Sequence, residues 1–204
     1  MTKIKICGLS RPEDIAFVNE ALPDYIGFVF AKSKRQVSEK QAKDLKAKLN
    51  PEIKAVGVFV NEEIDKIVRL CKENIIDTVQ LHGDEDENYC KKLKKQIFNP
   101  IIKAVRVRGK EDIEAAKTIS SEFFLLDAYK ESQYGGCGDT FDWTMIREVG
   151  RSYFLAGGIN SDNVLQAIEQ VNPFAVDVSS GVETDGLKDR NKIIDIITKV
   201  RSVK

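Results

Sequence analysis

The stretch YFLAGGINSDNVLQAIEQVNPFAVDVSSG, residues 153–181, holds a complete strand–helix–strand unit. It begins with an apolar run that ends in the pair Gly157 and Gly158, and a second apolar run near its end leads into Ser-Ser-Gly at 179–181. Between them, NVLQAIEQV places apolar residues at helical spacing after a polar start at Asn160 or Ser161. The unit therefore predicts two parallel strands joined by a helix.

The same unit recurs along the chain. Strands are predicted at Lys3–Cys7, Tyr25–Phe30, Lys54–Val60, Asp77–His82, Ile101–Val105, Phe123–Ala128, 153–158 and Phe174–Ser180. Helices are predicted from Arg11 with Pro12 in the first turn, after caps at Ser38 and Asn61, over 142–150, after Asn160 or Ser161, and over Arg190–Val200. Eight consecutive units predict an α/β fold, a single-domain (β/α)8 TIM barrel of near-minimal length spanning residues 1–204. An open, doubly wound sheet is the structural alternative.

The composition argues against nucleic-acid-binding, membrane-spanning and exported proteins. The 204 residues carry 32 Lys plus Arg and 32 Asp plus Glu, a net charge of zero, whereas nucleic-acid binders normally carry a positive excess. No apolar run approaches the roughly 20 residues that span a bilayer, and MTKIKICGLS lacks the apolar core of a signal peptide. The four cysteines show no tight pairing. We expect a cytoplasmic protein with reduced thiols and no nucleic-acid or membrane partner.

The ends of the last two predicted strands indicate an anion site. In barrels of this kind the active site lies at the carboxyl ends of the strands, and phosphate binds the loops after strands seven and eight. Glycine lets backbone N–H groups approach an anion closely. The alternative is that these glycines only permit tight turns, but two such segments on successive strands favour a phosphate site. Its predicted members are Gly157, Gly158, Ser179, Ser180 and Gly181.

Two strand ends carry groups suited to proton transfer. Cys7 ends the first strand, where a stabilised thiolate serves as a base, although free cysteines are often inert core residues. Asp127 ends FFLLD, where a partly desolvated carboxyl stays available as a proton donor; a helix cap or a satisfied rim residue is the alternative. Lys5 shares the strand parity of Cys7, and either lies one layer below the thiol or forms a structural ion pair with Asp177.

Two further residues are candidate substrate contacts. Arg35 lies in the basic cluster KSKR, which is either a solvated loop or the source of a bidentate carboxylate clamp. His82 is the only histidine, so a histidine-rich metal site is excluded, and no carboxylate spacing suggests a metal. We expect His82 to be a polar contact in the pocket and the protein to need no metal or cofactor.

The chain resembles the phosphoribosylanthranilate isomerase family nearly from end to end. The resemblance rests on KICGL, GFVF followed by SKR, VGVFVN, VQLHG, LLDA, YGGCGDTFDW, AGGIN and VDVSSGVE. Together these motifs are highly specific, whereas each one alone is weak. The resemblance implies a cofactor-free and metal-free (β/α)8 barrel of tryptophan biosynthesis. It also implies a phosphorylated aminosugar substrate, N-(5-phosphoribosyl)anthranilate, rearranged to 1-(2-carboxyphenylamino)-1-deoxyribulose 5-phosphate.

The resemblance also assigns roles. It makes Cys7 the general base, Asp127 the general acid and Arg35 the holder of the anthranilate carboxylate, and it gives the glycines and serines after strands seven and eight the phosphate. His82 and Asp177 are further candidate substrate contacts. The chain departs from the family at Cys137 and Asp139 in the Gly-rich loop and lacks the usual proline before SKR and within ETDGLKD.

Other functions remain open at this level. Another phosphosugar barrel is the nearest alternative, but a metal-dependent epimerase needs paired histidines and a dual-substrate aminoaldose isomerase has aspartate at the tip of strand one. A non-catalytic phosphate-ligand binder needs neither Cys7 nor Asp127. A redox thiol protein would have a resolving cysteine nearby, and no CxxC occurs. The sequence leaves a monomer or a homodimer open.

Overall fold

The computed structural model describes residues 1–127 and 149–203, and eight parallel strands close into one barrel in sequence order. The predicted (β/α)8 architecture is confirmed, and the open sheet is excluded because β1 pairs with both β2 and β8. The strands are β1 Lys3–Cys7, β2 Tyr25–Val29, β3 Lys54–Phe59, β4 Thr78–Leu81, β5 Ile101–Arg106, β6 Phe123–Asp127, β7 Tyr153–Ala156 and β8 Ala175–Val178.

Helices connect the strands on the outside. Within the described ranges they are α1 Pro12–Ala21, α2 Glu39–Lys46, α3 Ile64–Lys72, α4 Glu87–Lys94, α5 Lys110–Ala116, α6 Val164–Val171 and α7 Arg190–Ser202. The helix predicted over 142–150 falls almost wholly outside the described residues, as does Ala128. None of the helices in residues 1–127 and 149–203 is long and apolar enough to cross a bilayer.

Strand alternation divides the core into two clusters. Successive side chains of a strand point to opposite faces. Residues of one parity pack under the helices and form the larger apolar cluster, which includes Ile4, Ile6 and Phe28. Residues of the other parity fill the barrel interior, where Val56, Ile102, Leu125, Phe154, Ala156 and Ala175 form a separate cluster.

The interior changes character along the barrel axis. At the amino ends of the strands it is aromatic, and the Phe154 ring lies 5.4 Å from Tyr25, 5.7 Å from Phe123 and 5.6 Å from Phe174 between ring centroids. One layer higher, the inward positions carry polar side chains, among them Lys5 and Gln80. The apolar floor supports a polar chamber at the carboxyl ends of the strands.

The local signals for helix ends have mixed outcomes. Arg11 and Pro12 begin α1 as predicted, and Ser38 caps α2 by accepting from the Gln41 N–H. The prediction that Asn61 caps the third helix is wrong. Asn61 has φ of +50°, a left-handed conformation that asparagine tolerates, its side chain contacts Asp84, and α3 begins after Glu63.

The helix between β7 and β8 begins later than predicted. Asn163, not Asn160 or Ser161, directly precedes α6, and it accepts from the Asn160 N–H through Oδ1. Residues 160–163 therefore form a turn above the barrel rim rather than the first turn of the helix.

Candidate active site

Cys7 is the last residue of β1, and its side chain occupies space that a side chain at position 27 would otherwise fill. Gly27 on the neighbouring strand β2 is its register partner. A Cβ at Gly27 would lie 2.7 Å from the Cys7 Sγ, closer than packed atoms approach. Cys7 as a whole is 8% exposed. It therefore fills the gap over Gly27 and still opens to the barrel mouth.

A buried ion pair lies beneath the thiol. Lys5 is fully buried, and its Nζ lies 2.9 Å from Asp177 Oδ2 on β8, which confirms the predicted structural pair. Burial lowers the pKa of Lys5, but Asp177 and then Cys7 raise it above its ordinary value, so the ammonium keeps its charge. The second carboxylate oxygen, Asp177 Oδ1, is buried and has no hydrogen-bond partner among the described residues.

Opposing effects act on the Cys7 thiol. Burial raises its pKa, Lys5 lowers it, Asp177 raises it and Lys188 lowers it again. Burial prevails, and the pKa of Cys7 lies above the ordinary thiol value. In the free protein the sulfur is therefore held as a thiol beside two cations that favour its thiolate form.

A second buried charge cluster lies next to this pair. Glu183, directly after the 3-10 turn Ser180–Val182, accepts from Arg35 Nε at 2.6 Å and Nη2 at 2.7 Å. Lys188 Nζ donates to Glu183 Oε1 at 2.8 Å and to the Ser179 carbonyl at 2.9 Å. Burial raises the pKa of Glu183, but Arg35 and Lys188 outweigh it and lower that pKa to about 2.

A two-strand hairpin presents Glu183 and Lys188 to each other. Strands β9 Glu183–Thr184 and β10 Leu187–Lys188 pair antiparallel around Asp185 and Gly186, both with positive φ. The guanidinium arm of Arg35 lies over Gly8, where a Cβ would be 2.4 Å from the Arg35 Cδ. The predicted carboxylate clamp thus already holds one carboxylate of the protein itself.

The loops after β7 and β8 approach each other closely. A Cβ at Gly181 would lie 2.1 Å from the Ile159 carbonyl oxygen, so only glycine fits there. Gly157 and Gly158 both have positive φ, at 91° and 67°. The short turn Ser180–Val182 leaves the N–H groups of Ser180 and Gly181 without a partner inside the turn, whereas the Val182 N–H donates to the Ser179 carbonyl at 3.4 Å. The predicted phosphate-site residues are therefore adjacent in space.

Asp127 and His82 lie on the opposite side of the mouth. Asp127 ends β6, and its Oδ2 lies 3.8 Å from His82 Nε2, the residue directly after β4. Strand β5 separates β4 from β6, so this approach crosses the barrel interior. The two side chains are 24% and 27% exposed, respectively. His82 Nδ1 lies 2.8 Å from Gln80 Nε2, and Gln80 Oε1 accepts from Lys5 Nζ at 2.9 Å.

A buried carboxylate fixes the loop that carries His82. Glu85 accepts from the backbone N–H groups of Asn61 and Gly83 at 2.8 and 2.9 Å, and from Lys103 Nζ at 2.9 Å. Lys103 also donates to the Gly83 carbonyl at 2.6 Å. These contacts tie the loops after β3 and β4 together below His82.

Comparisons with known proteins match the whole chain. Residues 4–199 match the family model for N-(5'-phosphoribosyl)anthranilate (PRA) isomerase. The chain is 51% identical to the N-(5'-phosphoribosyl)anthranilate isomerase of Endomicrobium trichonymphae, with all of both chains covered. The chain belongs to the phosphoribosylanthranilate isomerase family.

Solved structures of the family have the same fold. The phosphoribosyl anthranilate isomerase of Thermotoga maritima aligns over all of both chains with a TM-score of 0.87 and 42% identity. A second isomerase structure, in complex with reduced 1-(o-carboxyphenylamino)-1-deoxyribulose 5-phosphate, aligns equally completely with a TM-score of 0.85 and 39% identity.

The predicted site residues of this isomerase-family chain form two groups. Cys7, Asp177 and Arg35 lie on the β1–β8 side with the phosphate-site glycines and serines, and Asp127 and His82 lie across the mouth. Cys137 and Asp139 lie outside the described residues. In the described part of the chain no three His, Cys, Asp or Glu side chains cluster as metal ligands.

Sequence reasoning missed three residues of this site. It gave no role to Gln80, Glu183 or Lys188. A signal existed for Gln80, which shares the strand parity of His82 and so faces the interior. The contact between Arg35 and Glu183 joins residues 148 apart in the chain, and no local pattern announces it.

Proposed function

We propose that this chain catalyses the Amadori rearrangement of N-(5-phosphoribosyl)anthranilate in tryptophan biosynthesis, with Cys7 as general base and Asp127 as general acid. Family membership supports the reaction. The observation that carries the residue roles is the placement of an inward thiol at the end of β1 and an inward carboxyl at the end of β6, on one rim of one closed barrel.

The reaction needs one proton donated and one removed. Asp127 protonates the ribose ring oxygen as the C1′–O bond breaks, and the anilinic nitrogen lone pair forms the C1′=N bond of an open-chain iminium. As the cation forms, the Cys7 thiol releases its proton to solvent. The cation acidifies the C2′ proton, which the resulting Cys7 thiolate removes. The C–H electron pair forms the C1′=C2′ bond as the C=N π pair returns to nitrogen. The resulting enolamine tautomerises to the ketone.

The thiol environment suits a base that works only when substrate is present. Burial keeps the pKa of Cys7 high in the free protein, while Lys5 and Lys188 stand ready to stabilise the thiolate. A cationic iminium next to the sulfur adds a third positive charge. The substrate itself thus completes the conditions for proton removal.

Arg35 keeps enough donors for the anthranilate carboxylate. Glu183 uses the edge formed by Nε and Nη2. A guanidinium has five N–H donors, and its other edge, formed by Nη1 and Nη2, remains for a second bidentate carboxylate. Glu183 therefore orients the Arg35 guanidinium and leaves its second edge free to bind substrate.

The remaining contacts follow from unused donors and acceptors. Gly157, Gly158, Ser179, Ser180 and Gly181 supply backbone N–H and hydroxyl groups for the phosphate. Asp177 Oδ1, buried and unpartnered among the described residues, is an acceptor for a sugar hydroxyl. His82 is a contact on the acid side of the sugar.

The decisive experiment is an activity assay with phosphoribosylanthranilate generated in situ, following the loss of anthranilate fluorescence. Cys7→Ser is expected to lower kcat about 10²–10⁴-fold while leaving the binding of a product analogue nearly unchanged. Near-normal turnover of Cys7→Ser would refute the base assignment. Product-analogue binding without turnover by the unaltered protein would instead indicate a non-catalytic binder.

A second variant tests the clamp. Arg35→Ala is expected chiefly to raise KM, since the arginine holds a part of the substrate that does not react. Ser33→Ala in the same loop is the matched control. An unchanged KM for Arg35→Ala would remove Arg35 from the carboxylate site.

We further propose that the protein acts in the cytoplasm as one catalytic domain, residues 1–204, as a monomer or a homodimer. It needs no cofactor, metal, nucleic acid or membrane. Sedimentation equilibrium of the purified chain distinguishes the two oligomeric states, and activity after exhaustive chelation tests the absence of a metal requirement.

A further inference from the structure

A line of polar side chains crosses the barrel interior between the two sides of the mouth. It runs from Lys5 on β1 to Gln80 on β4, on to His82, and ends facing Asp127 on β6. Gln80 is the central member and is 1% exposed. Its amide is therefore shielded from water and depends on its two protein neighbours for hydrogen bonds.

The chemistry of Lys5 fixes the orientation of this amide. An ammonium group has three donors and no acceptor, so the Gln80 atom at 2.9 Å from Lys5 Nζ must be the oxygen. The NH₂ group then faces the His82 ring, 2.8 Å from Nδ1. Because the amide nitrogen donates, Nδ1 accepts. A neutral imidazole has one donor and one acceptor, so the hydrogen of His82 lies on Nε2.

The position of the hydrogen on His82 affects which oxygen of Asp127 can carry a proton. The nitrogen that carries this hydrogen, His82 Nε2, lies 3.8 Å from Asp127 Oδ2, so the two side chains form a direct hydrogen bond only if they move closer. A donor facing Oδ2 disfavours a proton on that oxygen. A proton on the Asp127 carboxyl therefore belongs on Oδ1, the oxygen left for the substrate.

We propose that Gln80 is a positioning residue that fixes His82 as the Nε2–H tautomer, which presents a donor to Asp127 Oδ2 and assigns Oδ1 as the oxygen that delivers the proton. The part that concerns Asp127 rests on its proposed function as general acid. Asp177 supplies the counter-charge of Lys5, so the neutral Gln80 amide contributes only a hydrogen bond to the ammonium.

The chain offers an unusually clean test because His82 is its only histidine. Protein labelled with ¹⁵N-histidine gives one pair of ring nitrogen signals, recorded in alkaline buffer where an imidazole is neutral. The unaltered protein is expected to show a protonated Nε2 and a bare Nδ1. A protonated Nδ1 would overturn the proposal.

Substitutions of Gln80 then change the tautomer in defined ways. Gln80→Glu replaces the donor with a second acceptor, so the hydrogen is expected to move to Nδ1. Gln80→Met removes the hydrogen bond at similar volume, and a mixture of the two tautomers is expected. Thr78→Val, a buried substitution two residues earlier on the same face of β4, is the control and should leave the spectrum unchanged. An unchanged tautomer in both Gln80 variants would contradict the proposal.

Kinetics connect the tautomer to turnover. Gln80→Met is expected to lower kcat about 10- to 100-fold with little change in KM, by analogy with the loss found when groups that orient a metal-bound histidine are removed. A kcat equal to that of Thr78→Val would overturn the link to Asp127. The NMR measurement uses no substrate, so an isomerase assay that fails in the unaltered protein counts against the proposed function and leaves the tautomer result standing.

Discussion

The two sides of the barrel mouth are built in different ways. On the β1–β8 side, the charged groups Lys5, Asp177, Glu183 and Lys188 are buried, and ion pairs of 2.9 Å or shorter join them. On the β4–β6 side, the buried pair Lys103–Glu85 fixes the loop after β4, but Asp127 is about a quarter exposed. Its one ion-pair contact within 4 Å among the described residues is His82, at 3.8 Å.

The difference separates charged residues that stabilise the fold from the residue that we propose to act on substrate. Buried charges that are paired in the folded chain cost a great deal when one partner is removed, because the other is left unpaired and away from water. A carboxyl that is a quarter exposed and has one loose contact costs little to change. We therefore expect substitutions of the paired charges Lys5, Asp177, Glu183 and Lys188 to affect stability, and substitution of Asp127 to affect turnover.

The largest effect is expected for the acid side. Asp127→Asn keeps the shape of the side chain but removes the carboxyl that we propose as the proton donor, so kcat should fall about 10²–10⁴-fold. Its free energy of unfolding should change by no more than about 0.5 kcal/mol. Steady-state kinetics and urea unfolding measure the two quantities. Asp84→Asn, at the same rim, is the control, and a large loss of stability in Asp127→Asn would break the comparison.

The next largest effect is expected on stability, when the buried ion pair of Lys5 and Asp177 is broken. Lys5→Met leaves Asp177 charged, buried and without its cation, and should lower the free energy of unfolding by about 3–5 kcal/mol. Adding Asp177→Asn should restore much of this loss, since the uncompensated charge is gone. Lys3→Met on the same strand, where the ammonium lies over the rings of Tyr25 and Phe174, is the milder control. Equal losses in Lys3→Met and Lys5→Met would contradict the stabilising role of the buried pair.

A smaller effect is expected on the free energy of unfolding at acidic pH. The pKa of Glu183 is about 2 in the folded chain against an ordinary 4.5, so its contribution to stability is present above about pH 4.5 and is lost as the pH falls toward 2. The shift corresponds to about 3 kcal/mol. Glu183→Gln should lose stability at neutral pH and then fall less steeply below pH 4.5 than the unaltered protein. The exposed Glu13→Gln serves as control, and parallel acid curves for all three proteins would exclude the effect.

The smallest effect is a shift in thiol reactivity. In a Cys137→Ser background, the alkylation rate of Cys7 should rise with pH through a midpoint above the ordinary thiol value, because burial raises the pKa of Cys7. Asp177→Asn removes a carboxylate that raises this pKa, so the midpoint should move down. Mass spectrometry of the alkylated peptide separates Cys7 from Cys71 and Cys90. A midpoint that moves up would reverse the assigned effect of Asp177.

Much of this arrangement can be predicted from the sequence. The eight strands follow from short apolar runs between helical segments, and inward parity alone suggests that Lys5 and Asp177 meet inside the barrel. Strand-end positions likewise select Cys7 and Asp127, because a parallel barrel gathers its carboxyl ends at one rim. These features depend on local pattern or on topology.

Other features depend on contacts that no local pattern encodes. Asn61 looks like a helix cap, yet its backbone takes the left-handed conformation and its side chain serves the loop after β4. Glu183 meets Arg35 only because the β9–β10 hairpin folds back over the rim. The orientation of the Gln80 amide is fixed by Lys5, which has donors but no acceptor. Only the structure shows that Lys5 and His82 are its neighbours.

The bare position at Gly27 makes residues 7 and 27 mutually dependent in any redesign or divergence of this barrel. The gap it leaves is one methyl group wide and is already filled by sulfur. A methyl at 27 would displace the sulfur at position 7, and with a shorter residue at 7 it would still lie 3.2 Å from the Cα of residue 7 and 3.3 Å from the Lys5 Cε. Libraries that change the chemistry at the tip of the first strand should therefore vary both codons together, since single-codon libraries sample combinations whose fitness effects are not additive.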